Sequence, residues 1–246
     1  MVDQPLNPND TQPTSAPAPT TNAGEPSEEE LRAAQYLLAH PIETFTPTAP
    51  QQDFLALKSF VQIFSGANWC GKTCIGAAKL TAYVFGTENQ FFDYAHISEF
   101  SSRFRFRIIS THTAIEHAII PEIKKWFPKG RYTTHKGSRS FESRIVTDTG
   151  TVGDLITYDQ DITEFESVKL DLVWFDEPPP YPIFAATVAR MKPGGIIMFT
   201  MTPLSNAGWI FDRSENPWQN RNWGVIYADI ESCLFRGVHD KLPTHP

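Results

Sequence analysis

The feature that most constrains this chain is the segment at residues 66–73, which reads GANWCGKT. It matches the pattern G-x-x-x-x-G-K-[ST] and stands between an apolar run at residues 60–65 and a helical pattern at residues 74–85. Glycines at these places let backbone N–H groups turn toward phosphate oxygens, and the N-terminus of the following helix adds partial positive charge. A strand, this loop and a helix in succession predict a phosphate-binding loop.

The loop residues have separate predicted roles in binding ATP. We expect Lys72 to bridge the β- and γ-phosphates and the Thr73 hydroxyl to bind Mg²⁺. The predicted ATP-binding residues of the loop are Gly66, Ala67, Asn68, Trp69, Cys70, Gly71, Lys72 and Thr73.

A second motif, DLVWFDEPP at residues 171–179, places two carboxylates after four apolar residues. Polar residues at the carboxyl end of a buried strand lie where open α/β sheets bind ligands. We expect Asp176 to hold Mg²⁺ and Glu177 to orient and deprotonate the attacking water. The alternative is an ordinary strand that ends in a solvated acidic turn.

Two weaker signals flank these motifs. In FTMTPL, at residues 199–204, Thr200 or Thr202 is predicted to hydrogen-bond toward the γ-phosphate or Glu177, so that the next segment responds to hydrolysis. A plain threonine-rich strand end fits the same residues. Gln51 precedes the first strand, and its amide matches the hydrogen-bonding edge of adenine. A capping or surface glutamine is the alternative.

The order of patterns predicts the fold class. Short apolar runs alternate with helical patterns from residue 60 onward, which is typical of an α/β fold with a mostly parallel central sheet and helices on both faces. We predict strands at residues 60–65, 105–110, 172–176, 195–202 and 223–228, a hairpin of 144–149 with 152–158, and helices at 74–85 and 114–126.

Composition and motifs divide the chain into four predicted parts. Residues 1–26 are rich in Pro, Thr and Ser and are predicted to be a disordered tail. Residues 27–43 form an N-terminal helix that starts at a Ser27–Glu30 capping box and offers a docking face, and residues 44–230 form the ATPase domain. Residues 231–246 are expected to be a linker. The docking face is predicted to comprise Leu31, Ala34, Tyr36, Leu37 and Leu38.

The net charge of −7 is unevenly distributed. Residues 1–30 hold six acids and no Lys or Arg, so the remainder carries only −1. A local basic segment at residues 124–144 fits either a contact with phosphates or a solvated face. It contains Lys124, Lys125, Lys129, Arg131, Lys136, Arg139 and Arg144 against one acid, Glu142.

Three cysteines match neither a disulfide framework nor a paired metal motif, and no long apolar stretch is present. We therefore expect a soluble protein of a reducing compartment.

Taken in order, Gln51, GANWCGKT, YDQDITEF at residues 158–165, DLVWFDEPP and FTMTPL resemble the large terminase subunit of tailed bacteriophages, the motor that packages DNA into procapsids. The resemblance covers roughly residues 44–212 and is most specific from 158 to 204. It implies a P-loop NTPase fold of the additional-strand (ASCE/RecA-like) type, with ATP and Mg²⁺ as cofactors. It also implies that Gln51 reads adenine and that residues 200–203 form a coupling motif.

The resemblance further implies a set of partners and a place of action. We expect double-stranded DNA, the portal protein, the small terminase subunit and further copies of this chain, arranged with it in a pentameric ring on the procapsid in the host cell cytoplasm.

The sequence departs from the family at two points. The loop lacks the Arg or Lys found in many terminases, so the candidate arginine fingers are Arg139 and Arg190, of this subunit or a neighbour, followed by Arg103, Arg105 and Arg107. The family also has a C-terminal nuclease domain, and no acidic cluster for one is seen. We expect an ATPase portion of a longer protein that does not itself cut DNA.

Three other functions fit part of the pattern. A superfamily 2 helicase fragment shares the loop and the acidic pair but needs a second RecA-like domain. A nucleotide-binding scaffold without turnover leaves Glu177 unexplained. A small-molecule kinase needs a lid and an acceptor pocket, for which the sequence offers no signal.

Overall fold

The computed structural model describes residues 26–92, 104–137, 141–203, 208–215 and 222–234. Eight strands in these segments form one sheet. They are β1 (Val61–Gly66), β2 (Arg105–Ser110), β3 (Tyr132–Lys136), β4 (Glu142–Thr147), β5 (Val152–Thr157), β6 (Leu170–Asp176), β7 (Met191–Met201) and β8 (Trp223–Ala228).

The spatial order of the strands is β3-β4-β5-β2-β6-β7-β1-β8. All neighbours from β5 to β8 pair in parallel, whereas β3–β4 and β4–β5 are antiparallel. Strand β7 lies between β1, which leads into the phosphate loop, and β6, which carries the acidic pair. This inserted strand is the one that the additional-strand type of P-loop fold requires, so the predicted fold class is confirmed.

Helices cover both faces of the sheet because alternate side chains of the buried strands point to opposite sides. On β6, Leu172 and Trp174 belong to one core cluster, and Val173 and Phe175 belong to the other. The helices are α1 (Glu28–Ala39), α2 (Ala49–Ala56), α3 (Lys72–Phe85), α4 (the consecutive segments His112–Ala114, Ile115–Ile119 and Ile120–Trp126), α5 (Ile162–Phe165), α6 (Tyr181–Val188), α7 (Gly208–Ser214) and α8 (Ile230–Leu234).

Helix α4 has a wider, π-helical turn at Ile115–Ile119. Pro121 follows this turn and has no N–H to donate to the preceding turn, so the regular hydrogen-bond ladder is interrupted there. The predicted helix at residues 114–126 is therefore confirmed, with an irregularity that its proline explains.

Helix α1 begins at the predicted capping box: Ser27 Oγ accepts the Glu30 N–H at 3.3 Å, and the Glu30 carboxylate accepts the Ser27 N–H at 2.7 Å. The helix lies on the surface and contains no buried residue. Leu38 is 76% exposed, so the apolar face predicted for this helix is open. Docking of a partner on this face stays a prediction. Of the predicted tail at residues 1–26, residues 1–25 lie outside the described residues.

Six of these elements were not predicted, namely strand β3 and helices α2, α5, α6, α7 and α8. Strand β3 has mostly exposed, polar residues because it is the edge strand of the sheet, so it lacks an apolar signal. Helix α2 is only eight residues long and contains Pro50 in its first turn. Within the part of the chain that the structure describes, every helix is too short or too polar to cross a membrane.

Candidate functional site

The phosphate loop, the acidic pair and the threonines of FTMTPL converge at one edge of the sheet, where β1, β2, β5, β6, β7 and β8 end; we call it the carboxyl edge. Asp176, the last residue of β6, pairs with Thr200 of β7. Ser110, at the end of β2, pairs with Thr157 of β5. The phosphate loop follows β1 at the same edge, so the topology brings the loop, the acidic pair and the FTMTPL segment together.

The phosphate loop runs from Gly66 to the first residue of α3, Lys72. Gly71 has φ 68° and therefore adopts the left-handed backbone that glycine allows at little cost. The Lys72 ammonium donates to the Ala67 carbonyl at 3.0 Å and so lies folded over the loop. Trp69 is 91% exposed at φ 72°, a backbone that is strained for a bulky side chain.

Gln51 lies under the loop. Its Oε1 accepts the Thr48 N–H at 3.0 Å, which caps helix α2, and its Nε2 donates to the Cys70 carbonyl at 3.2 Å. The residue is 5% exposed. The capping role that the sequence left open is present, and the contact with Cys70 joins α2 to the phosphate loop. Adenine recognition by Gln51 stays a prediction.

Asp176 is the end of a buried hydrogen-bond chain. The Trp174 indole N–H donates to the Thr200 hydroxyl at 2.7 Å, and this hydroxyl donates to Asp176 Oδ1 at 2.6 Å. The Thr73 hydroxyl donates to the same oxygen at 3.4 Å. Of the two threonines that the sequence offered for a bond toward the γ-phosphate or Glu177, Thr200 uses its hydroxyl proton on Asp176 and contacts Glu177 only through its carbonyl.

Burial raises the pKa of the Asp176 carboxyl to about 6; the bond from Thr200 opposes this, the nearby Glu177 adds to it, and Lys72 and Thr73 again oppose it. A carboxylate that is costly to bury is stabilised by a cation, and the hydroxyl and carboxylate oxygens of Thr73 and Asp176 are the hard donors that Mg²⁺ prefers. The residues therefore fit the predicted Mg²⁺ site.

Glu177 is held through backbone and side chain. Its N–H donates to the Thr200 carbonyl at 2.9 Å, and its carboxylate accepts the Thr202 N–H and the Thr202 hydroxyl, each at 2.9 Å. Its φ of 72° is unusual for a residue other than glycine. Thr202 thus contacts Glu177 as predicted, although its role in coupling stays a prediction.

Arg190 lies away from this site. It precedes the first residue of β7. Met191 pairs with Leu170 of β6 and Thr200 pairs with Asp176, so the two ends lie six strand positions apart, about 20 Å at about 3.3 Å per residue. An arginine side chain is too short to cover that distance, so Arg190 is excluded from the site of its own subunit. A role for Arg190 as the arginine finger of a neighbouring subunit stays a prediction.

The other candidate arginines are Arg107, Arg105, Arg139 and Arg103. Arg107 is 1% exposed, and its guanidinium donates to the Phe165 carbonyl at 3.0 Å and the Ser167 hydroxyl at 3.2 Å. Its candidacy as an arginine finger is wrong because the side chain is held by these contacts inside the fold. Arg105 lies at the start of β2, at the opposite edge from the loop. Arg139 and Arg103 lie outside the described residues.

The basic segment is partly neutralised by one acid within it and one just after it. Lys124 pairs with Glu142 at 2.9 Å, and Arg131 pairs with Asp148 at 2.9 Å. These pairs favour a solvated face for that part of the surface, since surface ion pairs of this kind are common without a ligand.

The sequence did not predict the hydrogen bonds that three further residues make at the site. Trp174 was interpreted as part of an apolar strand, but its indole N–H starts the chain to Asp176. The Ser110 hydroxyl donates to the Asp176 carbonyl at 2.9 Å. The Tyr158 hydroxyl donates to the Glu177 carbonyl at 2.6 Å. The available signal for Tyr158 was its place in the YDQDITEF segment, to which the sequence analysis gave no contact with the acidic pair.

The fold is similar to that of solved large terminases from bacteriophages. The large terminase of a thermophilic bacteriophage, solved in complex with ADP, aligns with a TM-score of 0.51 and 16% identity over 75% of this chain and 45% of that one. A second structure of the same thermophilic phage protein gives 0.52 and 14% over 79% and 48%. The HK97 bacteriophage large terminase gives 0.51 and 13% over 69% and 37%.

These chains are more than twice as long as the part that aligns, and their identities show likeness of fold alone. No family model matches the sequence, and no curated protein matches it. The chain has the P-loop NTPase fold of the bacteriophage large terminases, as its motifs predict.

Proposed function

We propose that this protein is the ATP-hydrolysing motor part of a terminase large subunit, which translocates double-stranded viral DNA into a procapsid. The observation that carries the proposal is the arrangement at the carboxyl edge. A buried carboxylate, Asp176, faces the phosphate-loop threonine, and a second carboxylate, Glu177, is held by Thr202 of the next strand. A binding scaffold without turnover has no need of the second carboxylate.

In this proposal, ATP lies along the phosphate loop, with the Lys72 ammonium leaving the Ala67 carbonyl for the phosphates. Gln51, which contacts Cys70 of the loop, supports the adenine end. Thr73 and Asp176 hold Mg²⁺, which neutralises charge on the phosphate oxygens. The exchange of the Lys72 contact is inexpensive because a backbone carbonyl is replaced by a charged acceptor.

Glu177 then receives a proton from the attacking water. The bond between the water oxygen and the γ-phosphorus forms while the bond from that phosphorus to the bridging oxygen of ADP breaks, and the proton passes through Glu177 to the released phosphate. Each Glu177 carboxylate oxygen accepts one bond from Thr202 and has a further lone pair, so it can take that proton with the Thr202 contacts in place. Protonation neutralises the carboxylate and weakens the bonds from Thr202, and we propose that this change transmits the state of the site to the segment after Thr202.

Helix α7 is placed to respond to that change. It follows the FTMTPL segment in the chain, and the Trp209 indole N–H donates to the carbonyl of Pro179 at 3.2 Å, just after the acidic pair. Displacement at Thr202 or at Pro179 therefore reaches α7, which we propose transmits force toward the DNA.

The remaining parts of the proposal concern the assembly. Copies of the chain form a pentameric ring on the portal protein, together with the small terminase subunit. An arginine from a neighbour, Arg190 or Arg139, completes each ATP site. The grip on DNA uses phosphate contacts, so it is independent of sequence and weakens with salt.

The test is phosphate release from Mg-ATP at rising protein concentration, with and without two linear duplexes of unrelated sequence. Turnover per subunit should rise with concentration and be stimulated equally by both duplexes, less so as salt is raised. Arg190→Ala or Arg139→Ala should lower turnover at high concentration, while Arg32→Ala, an exposed arginine of α1, should not. Turnover that ignores both concentration and DNA would leave an ATPase but contradict the motor.

A further inference from the structure

Tyr158 connects two strands that are not neighbours. It follows the last residue of β5, and β2 lies between β5 and the strand that carries the acidic pair. Its hydroxyl reaches across the end of β2, 3.2 Å from the Ile109 carbonyl, and ends 2.6 Å from the Glu177 carbonyl and 3.3 Å from that of Asp176. A hydroxyl has one proton, and the shortest of these contacts is the one to Glu177.

The residues around Tyr158 form the turn that directs it. The Gln160 side chain accepts the Thr157 N–H at 2.9 Å, and the Asp159 carboxylate accepts the Thr157 hydroxyl. Asp161 caps helix α5 by accepting the Thr163 N–H at 2.9 Å. The polar residues of the YDQD segment are thus used in building the turn and the cap, whereas the tyrosine hydroxyl reaches the site.

Glu177 needs external support for its backbone. At φ 72° a non-glycine residue carries a conformational cost, and this backbone persists only where neighbouring contacts hold it. The N–H side of the residue is held by Thr200 and the carbonyl side by Tyr158. Fixing both sides sets the direction in which the Glu177 carboxylate leaves the chain.

We propose that Tyr158 is a positioning residue for hydrolysis, whose hydroxyl holds the Glu177 backbone so that the carboxylate points at the attacking water. This inference rests on the proposed function of Glu177 as the general base.

Removing the hydroxyl separates this role from packing. The Tyr158 ring packs against the core cluster that contains Ile109 and Phe165, and phenylalanine keeps those contacts. Tyr158→Phe is therefore expected to fold and to bind ATP as the native protein does. What it loses is the hydrogen bond to Glu177, which matters most in the transition state, where the direction of the carboxylate is critical.

The experiment is steady-state phosphate release by the wild type, Tyr158→Phe and a control, Tyr132→Phe, which changes a half-buried tyrosine of edge strand β3. For Tyr158→Phe we expect kcat to fall about 5- to 20-fold, the effect of one hydrogen bond, with KM for ATP within about twofold. Tyr132→Phe should change neither constant. A second variant, Gln160→Leu, loosens the turn and should lower kcat in the same direction with KM preserved.

A background variant tests whether the loss passes through Glu177. In Glu177→Gln, which lacks the base, adding Tyr158→Phe should cause no further drop in residual turnover. Normal kcat in both Tyr158→Phe and Gln160→Leu, with an active wild type, would overturn this inference and leave the proposed function standing. A wild type that releases no phosphate under any condition contradicts the proposed function, and the inference with it.

Discussion

Replacing Asp176 with asparagine should stabilise the protein without its ligands, although Asp176 is assigned an essential role. The carboxyl is 6% exposed, and burial raises its pKa to about 6 from an ordinary value of 3.8. The folded state therefore holds this proton more tightly than the unfolded state does. Ionising the group at higher pH costs the folded state more than the unfolded one.

The magnitude follows from the two pKa values. One pH unit between them corresponds to about 1.4 kcal/mol, so the ionised Asp176 costs roughly 3 kcal/mol above pH 6. The sign is that of a raised pKa: the stability linked to the bound proton is complete below pH 3.8 and is lost as pH rises through 6. Asparagine has no charge and keeps an oxygen that accepts from Thr200.

The assay is urea unfolding in EDTA, followed by circular dichroism, at pH 8 and pH 4. Asp176→Asn should raise the free energy of unfolding by roughly 3 kcal/mol at pH 8 and by less than about 1 kcal/mol at pH 4. The control is Asp171→Asn on the same strand, whose carboxylate accepts from Lys192 at 2.7 Å; it should not stabilise at pH 8. Destabilisation by Asp176→Asn at pH 8, or an equal gain at both pH values, would refute the reasoning.

Two further predictions concern the packing beneath the site. Thr200→Val leaves the buried Trp174 N–H without its acceptor and should cost about 1–3 kcal/mol in urea unfolding. Thr187→Val removes a buried hydroxyl that has no hydrogen-bond partner among the described residues and should cost almost nothing; equal losses would contradict the hydrogen-bond chain. Gly76→Ala would place a Cβ 2.4 Å from the Trp174 ring and should lower the melting temperature by several degrees. Gly208→Ala meets none of the described residues within 4 Å and should leave the melting temperature unchanged; an unchanged Gly76→Ala would show that α3 does not press on Trp174.

The sequence was sufficient where a short motif determines its own local structure. The phosphate loop needs Gly71 at a positive φ, and the Ser27–Glu30 box starts α1 through contacts three residues apart. The buried strands are also predictable because their residues are almost all apolar. The fold class follows from the order of these elements along the chain.

What could not be predicted depends on strand order. Arg190 follows the acidic pair by only thirteen residues in the sequence, yet β7 carries the chain back across the sheet from its far edge. Tyr158 contacts Glu177 only because β5 and β6 flank β2. Gln51 fits both a cap and an adenine contact by composition, and its position beneath Cys70 required the packing of α2 on the loop.

The most direct test of the account measures ATP binding and phosphate release on the same samples of wild type, Glu177→Gln and a surface control, Glu29→Gln. The amide keeps the size of the side chain but cannot take a proton from water. If Glu177 is the catalytic base, Glu177→Gln should bind ATP with an unchanged dissociation constant and release phosphate at least about 100-fold more slowly, while Glu29→Gln should behave as the wild type. Phosphate release by Glu177→Gln at the wild-type rate would contradict the assignment of the catalytic base.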